Sequence, residues 1–280
     1  MEQKRPTSSL IISTYNWPEA LSLSLKSVLA QKILPNEVII ADDGSTEETK
    51  FIIDSFRSIF PVPLKHVWHE DKGFRKTIIL NKAVAEASSE YIIQIDGDVI
   101  LDINFVEDHL RAAENKTFIR GTRAHLKKEI LPSVFEDKRI DFSFFSKGVK
   151  HRFNAFRLPS MAWLFTSRKK KCSKSVRGCN LAYWKRDFVR INGYNNMLEG
   201  WGHEDEEMAS RLINIGVKKK RLKFMAIQYH IFHSVASRKH ENRHLSLLNQ
   251  SMFEKLKRCE NGYFESLQHE KVSVLEFSQY

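Results

Sequence analysis

Asp96 and Asp98, separated only by Gly97, follow the apolar run Tyr91-Ile92-Ile93-Gln94-Ile95. Two carboxylates that close repel each other unless a cation lies between or beside them. Hard oxygen donors suit manganese or magnesium, and a divalent ion bridging to a nucleotide diphosphate would supply the missing charge. The same residues also suit a plain Asp-Gly turn at a strand end, since both types are favoured in turns. The motif by itself leaves the two readings open.

A second constellation is Gly200-Trp201-Gly202-His203-Glu204-Asp205-Glu206-Glu207. Its glycines flank an indole able to stack on the apolar face of a sugar, and its carboxylates follow where a hydroxyl proton has to be removed. Acidic side chains also stabilise a helix N-terminus, and Met208, Leu212 and Ile215 continue as an apolar helical face. Glu206 and Glu207 are read as such terminal charges only, and His203 as exposed or facing an acceptor. Further on, His230 and His233 stand three residues apart, although a single histidine is more often a core residue than a ligand.

These groups need elements to hold them. Residues 10–13, 38–41, 64–68 and 91–95 are short β-branched runs that predict strands. Between them, 19–31, 46–60 and 76–87 show helical periodicity, with Leu21, Leu25, Val28 and Leu29 on one face of the first and Phe51, Ile52, Phe56 and Ile59 on one face of the second. Alternation of this kind predicts a parallel α/β sheet, in which ligands collect beyond the carboxyl ends of the strands. The polar clusters all fall there: Thr14-Tyr15-Asn16, Asp42-Asp43-Gly44-Ser45, residues 69–75, and Asp96-Gly97-Asp98. Residues 127–174 read as an insertion, and those after 237 as a largely helical tail.

Composition narrows the function classes. The 280-residue chain is 42% hydrophobic and 28% charged, an ordinary globular balance, with no run long enough to span a membrane and no signal-peptide core near the start. Cys172, Cys179 and Cys259 form no C-x-x-C pair, which argues against a zinc site or disulfide framework and for reduced cytosolic thiols. The formal net charge of +11 is concentrated: residues 142–174 hold Lys147, Lys150, Arg152, Arg157, Arg168, Lys169, Lys170, Lys171 and Lys174 without one Asp or Glu. Phe142, Phe144, Phe145, Phe153, Phe156, Trp163 and Phe165 interleave with those cations. That pattern fits a peripheral segment on an anionic membrane surface, or a lid over the active site with solvated cations. A nucleic-acid-binding protein would share the basic patch, but no recognition motif accompanies it and the clustered acids would repel phosphates, so no nucleic-acid partner is expected. A carbohydrate-binding module without catalysis is the other competing class.

Residues 10–16, 38–45 and 96–98, taken in order and spacing, resemble the donor half of family 2 glycosyltransferases, and Gly73-Phe74-Arg75 with Leu80-Asn81-Lys82-Ala83 resembles that family's third element. The run 200–205 is similar to the Gly-Trp-Gly-x-Glu-Asp signature of galactosyltransferases and N-acetylgalactosaminyltransferases. The resemblance implies a GT-A nucleotide-sugar-binding fold: a mostly parallel central sheet flanked by helices, with a helical basic insertion and a helical tail. It divides the chain into a transferase domain at 1–236 (donor half 8–123, insertion 124–176, acceptor and catalytic half 177–236) and a tail at 237–280. By it, Thr14, Tyr15 and Asn16 line the nucleoside pocket, Asp42 or Asp43 reads uracil, and Gly73, Asn81 and Gly97 belong to the donor site. Arg75 stands in for a phosphate-binding arginine where this chain has Leu80. Asp98 ligates Mn2+ or Mg2+ with His233, preferred over His230, while Asp96 faces the ribose beside the metal. Trp201 meets the sugar, Asp205 is the catalytic base, and Glu204 assists it. The implied activity is inverting transfer from a UDP-sugar, with galactose or N-acetylgalactosamine ahead of glucose or N-acetylglucosamine, to a polysaccharide or lipid-linked acceptor at the inner membrane face.

Overall fold

A computed structural model describes residues 5–169, 173–234, 238–268 and 273–275. Lys170, Lys171 and Cys172, with the side chains of Trp163, Arg168 and Lys169, lie outside the described set. In chain order the elements are β1 (Ser8–Thr14), α1 (Pro18–Leu29), β2 (Glu37–Asp42), α2 (Glu47–Arg57), β3 (Leu64–Trp68), α3 (Lys76–Glu86), β4 (Tyr91–Asp96) and β5 (Val99–Leu101). They continue with α4 (Phe105–Ala112), β6 (Thr117–Arg120), β7 (Ala124–Leu126), α5 (Leu131–Glu136), β8 (Val149–Lys150), α6 (Pro159–Phe165) and β9 (Ser167–Lys169). The rest are β10 (Leu181–Trp184), α7 (Lys185–Arg190), α8 (Glu204–Asn214), β11 (Lys218–Arg221), β12 (Gln228–His230), α9 (Glu241–Phe253), α10 (Tyr263–Ser266) and β13 (Ser273–Leu275).

The large sheet has the order β13-β3-β2-β1-β4-β10-β6-β11-β9. Strands β3, β2, β1 and β4 pair in parallel at its centre, as the βαβ pattern predicts, and β6 and β11 run the same way beyond the antiparallel β10. Every residue of β1 and β2 is buried, because helices cover both faces. Alternate side chains go to opposite sides. Leu10, Ile12, Val38, Ile40 and Ile93 pack with α1, α2 and α4 through Leu21, Val28, Ile53 and Phe105. Ile11, Ile39, Ala41 and Ile92 pack with α3 and α8 through Ile79, Val84, Met208 and Leu212. Each fully buried aliphatic chain of this kind contributes about 1.5–3 kcal/mol.

Register delivers the chemistry. Thr14 pairs with Asp42 and Ser13 with Asp96, so the ends of β1, β2 and β4 arrive together at one edge. A second sheet, β5-β12-β7-β8, closes that edge. In it His230 pairs with Val99, and the Ile231 N–H donates to the Asp98 carbonyl at 2.9 Å.

The basic insertion is not purely helical. Besides α5 and α6 it sends β8 into the second sheet and β9 onto the edge of the first. Arg157 is also withdrawn from the patch, its guanidinium gripping the buried Asp108 at 2.7 and 3.0 Å. The tail contains α9 and α10 as expected, but its last described piece, β13, pairs antiparallel with β3.

Candidate active site

The strand ends surround a cleft of about 660 Å³ whose walls include Thr14, Tyr15, Asn16, Asp43, Phe74, Lys76, Asp96, Asp98, Trp201, His230 and His233. Asn16 shapes the entrance. It adopts φ +45°, donates its N–H to the Ser45 hydroxyl at 2.9 Å and accepts the Thr46 N–H on its side-chain oxygen at 2.9 Å. The Tyr15 hydroxyl donates to Asp71 at 2.9 Å, a bond that raises its pKa above the usual phenol value.

Asp42 and Asp43 separate in role. Asp42 is fully buried behind the cleft, accepting from His66 Nε2 at 2.9 Å and from the Ser45 N–H at 2.8 Å. Asp43 reaches the cleft wall, accepting from His69 Nε2 at 2.7 Å and from the Arg75 N–H at 2.9 Å. Burial raises its carboxyl above the ordinary range despite those partners. Of the two, Asp43 is the one a base could meet.

Three expected donor-site residues lie elsewhere. Asn81 is fully buried, donating to the Tyr194 carbonyl and Asn196 side chain, both at 2.9 Å, and accepting the Tyr194 N–H at 2.8 Å. It locks α3 to the 194–196 loop, away from the cleft wall. The Arg75 guanidinium donates to the Glu70 carbonyl and lines a separate cavity of about 360 Å³ with Lys82, Asn196 and Arg243. It is not among the side chains that line the donor cleft. Gly73 turns the exposed loop at φ +87°, and its neighbour Phe74 faces the cleft.

At the mouth of β4 the two aspartates face different partners. Asp96 receives the Lys76 ammonium at 2.6 Å and the Ser13 hydroxyl at 2.9 Å. Burial alone would raise its carboxyl, but the charge and hydrogen bond of Lys76 hold it below the usual range. Lys76 is in turn shifted strongly upward: burial opposes its charge, and Asp96, Asp205 and Glu204 more than compensate. Gly97 allows the turn because an added Cβ would lie 3.1 Å from the Ser13 carbonyl oxygen and 3.2 Å from the Thr14 hydroxyl.

Asp98 belongs to another cluster. His233 Nε2 lies 3.1 Å and His230 Nε2 3.4 Å from its Oδ2, and one ligand atom from each of the three residues lies within 4.8 Å of the others. Its second oxygen, Oδ1, is buried without a hydrogen-bond partner. Burial lowers the His230 pKa, which favours the neutral, ligand-competent imidazole. An unsatisfied carboxylate oxygen with two imidazoles beside it fits a divalent cation. Both histidines belong to the cluster, His233 the nearer to Asp98, and Asp96, committed to Lys76, stands outside it.

Glu204 and Asp205 open α8 after the positive-φ His203. Neither is among the residues that line the cleft, but both lie close enough to Lys76 for their charges to raise its pKa. Asp205 accepts the Gly178 N–H at 2.6 Å and the Tyr194 hydroxyl at 3.0 Å, and burial is the main cause of its raised pKa. A Cβ at Gly178 would sit 2.7 Å from Asp205 Oδ1, so glycine is required for that approach. Glu204 is held by the Gly202 N–H at 2.9 Å and is pushed up to about 7 by burial and by the charge of Asp205. Glu206 meets His203 and the Ser175 N–H, and Glu207 forms a buried pair with Arg211 at 2.7 Å. His203 is thus a half-buried partner of Glu206.

Lys76 escaped the sequence reading, although a cation in the first turn of a helix runs against the helix dipole and needs an explanation. That explanation is Asp96.

The profile described as Glycosyl transferase family 2 matches residues 9–166, more than half of the chain. The chain belongs to glycosyl transferase family 2. A second profile, described as the N-terminal domain of galactosyltransferase, matches residues 162–234 of this family 2 chain and so includes α8 and both cleft histidines. Chondroitin synthase of Escherichia coli is 25% identical over 230 residues, 74% of this chain and 32% of that protein. Validoxylamine A glucosyltransferase of Streptomyces hygroscopicus subsp. limoneus is 26% identical over 76% of this chain and 49% of its own length. The chain therefore spans about a third to a half of these curated relatives. Among solved structures, a mannosyltransferase from Pyrobaculum calidifontis in complex with GDP-Man and Mn2+ superposes with a TM-score of 0.58 at 18% identity, covering 88% of this chain and 63% of that one. The S. aureus TarS fragment in complex with UDP gives 0.60 at 14% identity, covering 93% and 68%. The fold is the GT-A glycosyltransferase fold.

Proposed function

We propose that this family 2 chain transfers one sugar from a UDP-sugar to a carbohydrate acceptor with inversion, assisted by Mn2+ or Mg2+. The observation that carries this reading is the unsatisfied Asp98 Oδ1 beside His230 and His233 at the edge of the donor cleft. A divalent cation held by those three residues would neutralise charge on the departing diphosphate. Thr14, Tyr15 and Asp43 would take the uridine, and Trp201 would stack on a sugar face. Lys76 would hold Asp96 ionised as its ribose contact. Asp205, oriented by Gly178 and Tyr194, would accept the acceptor's hydroxyl proton as that oxygen attacks the anomeric carbon, giving a β linkage from an α-linked donor.

Galactose and N-acetylgalactosamine remain the first donors to try, then glucose and N-acetylglucosamine. The test is UDP release from that panel with and without Mn2+. Release that requires the metal and is lost in Asp98→Asn supports the reading; full release in chelator overturns it.

A second observation favours a membrane-bound acceptor. Phe144 stacks edge-on with Phe145, Phe153 and Phe156 at 5.2–5.9 Å, and Phe145 and Phe153 are 81% and 75% exposed among exposed Lys147, Lys150 and Arg152. Exposed aromatics rimmed by cations suit an anionic bilayer surface. Among the described residues no helix is long and apolar enough to cross a membrane.

A further inference from the structure

Beside the cleft lies a smaller cavity of about 210 Å³, lined by Arg120, Arg123, Arg177 and Arg221 together with His125 and His151, with no acidic residue in its walls. Strand pairing creates it: Arg120 ends β6 and Arg221 ends β11, and the two are register partners in adjacent parallel strands. Arg177 enters from the segment leading to the 3-10 turn Gly178–Asn180, and Arg123 from the turn before β7. Among the described residues none of the four makes an ion pair. Arg120 donates to the Ser175 carbonyl and Arg123 only reaches the Cys179 sulfur at 3.6 Å. Two buried polar atoms here lack partners, Arg123 Nε and the Thr122 hydroxyl. Burial and then the charges of Arg221, Arg177 and Arg123 depress the Arg120 pKa, as expected for guanidinium groups crowded without a counterion.

Four guanidinium groups around one small space carry a repulsion that the fold leaves uncompensated, and a bound anion removes it. The volume admits one anionic group and excludes a nucleic-acid backbone. The position says whose group it is. Arg123 and His125 line both this cavity and the donor cleft, and the His125 ring is 5.3 Å from that of His230. The donor's own charge resides on its diphosphate, which a divalent cation held by Asp98, His230 and His233 would answer. We propose that this cavity binds a single carboxylate or phosphate carried by the acceptor, making the acceptor an acidic glycan. The inference rests on the transferase reading above and names the acceptor's chemistry.

The experiment uses the full chain saturated with UDP and Mn2+, so that the donor cleft is filled. Binding is measured for a hexuronate-terminated oligosaccharide, its carboxyl-reduced counterpart and a phosphate-terminated oligosaccharide. The two charged glycans distinguish the sources of the anion, and at least one binds while the reduced glycan binds about tenfold or more weakly, the size of one lost charge-assisted interaction. The double substitution Arg177→Gln, Arg221→Gln abolishes that preference. Both side chains are exposed, so the variant folds, with a thermal midpoint equal to or above the wild type's and unchanged UDP release from donor in the absence of acceptor. The Lys pair Arg177→Lys, Arg221→Lys keeps the charge but not the planar fork and gives an intermediate loss. Equal binding of charged and reduced glycans, or a preference that survives the Gln pair, overturns the proposal. Failure of UDP release with every donor would instead overturn the UDP-sugar reading, and the charge preference is read independently of it.

Discussion

Asp205 and Glu204 illustrate how adjacent carboxylates divide labour. Asp205, the base of the proposed transfer, accepts one hydrogen bond on each oxygen, from the Gly178 N–H and the Tyr194 hydroxyl, whereas Glu204 accepts one from the Gly202 N–H. Asp205→Asn therefore loses about 100-fold or more in turnover while UDP binding persists, measured by steady-state kinetics and calorimetry. Because burial raises both carboxyls and Glu204 reaches about 7, activity falls on acidification at a pH above the ordinary carboxylate range. Glu204→Gln removes a negative neighbour, so that limb moves to lower pH; a limb that stays put excludes Asp205 as the titrating base. The stability sign is the reverse of the usual acid case. The folded state binds the Glu204 proton more tightly than the unfolded chain, so its contribution is present below the ordinary value of 4.5 and is lost as pH rises toward about 7. Residue types and spacing singled out Asp98, and the family resemblance singled out His233 and Asp205; the structure brings the first two together at the cleft and leaves Asp205 off the cleft wall. Spacing and resemblance could not separate Asp42 from Asp43, or free Asn81 and Arg75 from structural duty, because those distinctions depend on which loop closes over which side chain.

Among the elements, the central β1–β4 unit and α1–α3 matched expectation to within a few residues, since β-branched runs and 3.6-residue periodicity report burial directly. Edge strands such as β9 and β13 are three residues each, too short for alternation to register. The tail is joined to the catalytic half by contacts that local pattern cannot reveal. Both ring nitrogens of His244 in α9 lie near the carbonyl oxygens of Gly202 and Glu199, at 2.8 and 3.0 Å, bracketing the Trp201 loop. Beneath it, fully buried Arg211 pairs with Glu207 through two hydrogen bonds and donates to the Ile191 carbonyl, while Ser251 of α9 completes Glu207. Arg211→Met leaves that carboxylate buried without its charge partner, a change that costs about 3–5 kcal/mol. Urea titration measures it. A loss below about 1 kcal/mol would mean that the pair contributes little to holding α8 against α9.

At the scale of the whole molecule, the net charge of +11 is not spread evenly, and two groups of cations stand out. The arginine cavity faces the cleft, and the aromatic patch of residues 144–156 faces outward. If the outer patch docks on an anionic bilayer, each cation near the surface contributes about 1 kcal/mol and the inserted phenylalanines add burial that salt does not screen. Lys147→Gln with Lys150→Gln therefore weakens sedimentation with anionic vesicles about tenfold or more and flattens its salt dependence. Phe145→Ser with Phe153→Ser weakens binding by a similar factor but leaves the salt dependence intact, because it removes burial and not charge. Transfer to a short soluble acceptor is unchanged in both pairs, since none of these four residues lines the cleft or the arginine cavity. A lid would behave differently: the same substitutions would slow transfer to the soluble acceptor and leave vesicle binding where it was. That outcome would assign the patch to active-site closure, and the acceptor would have to be sought in solution.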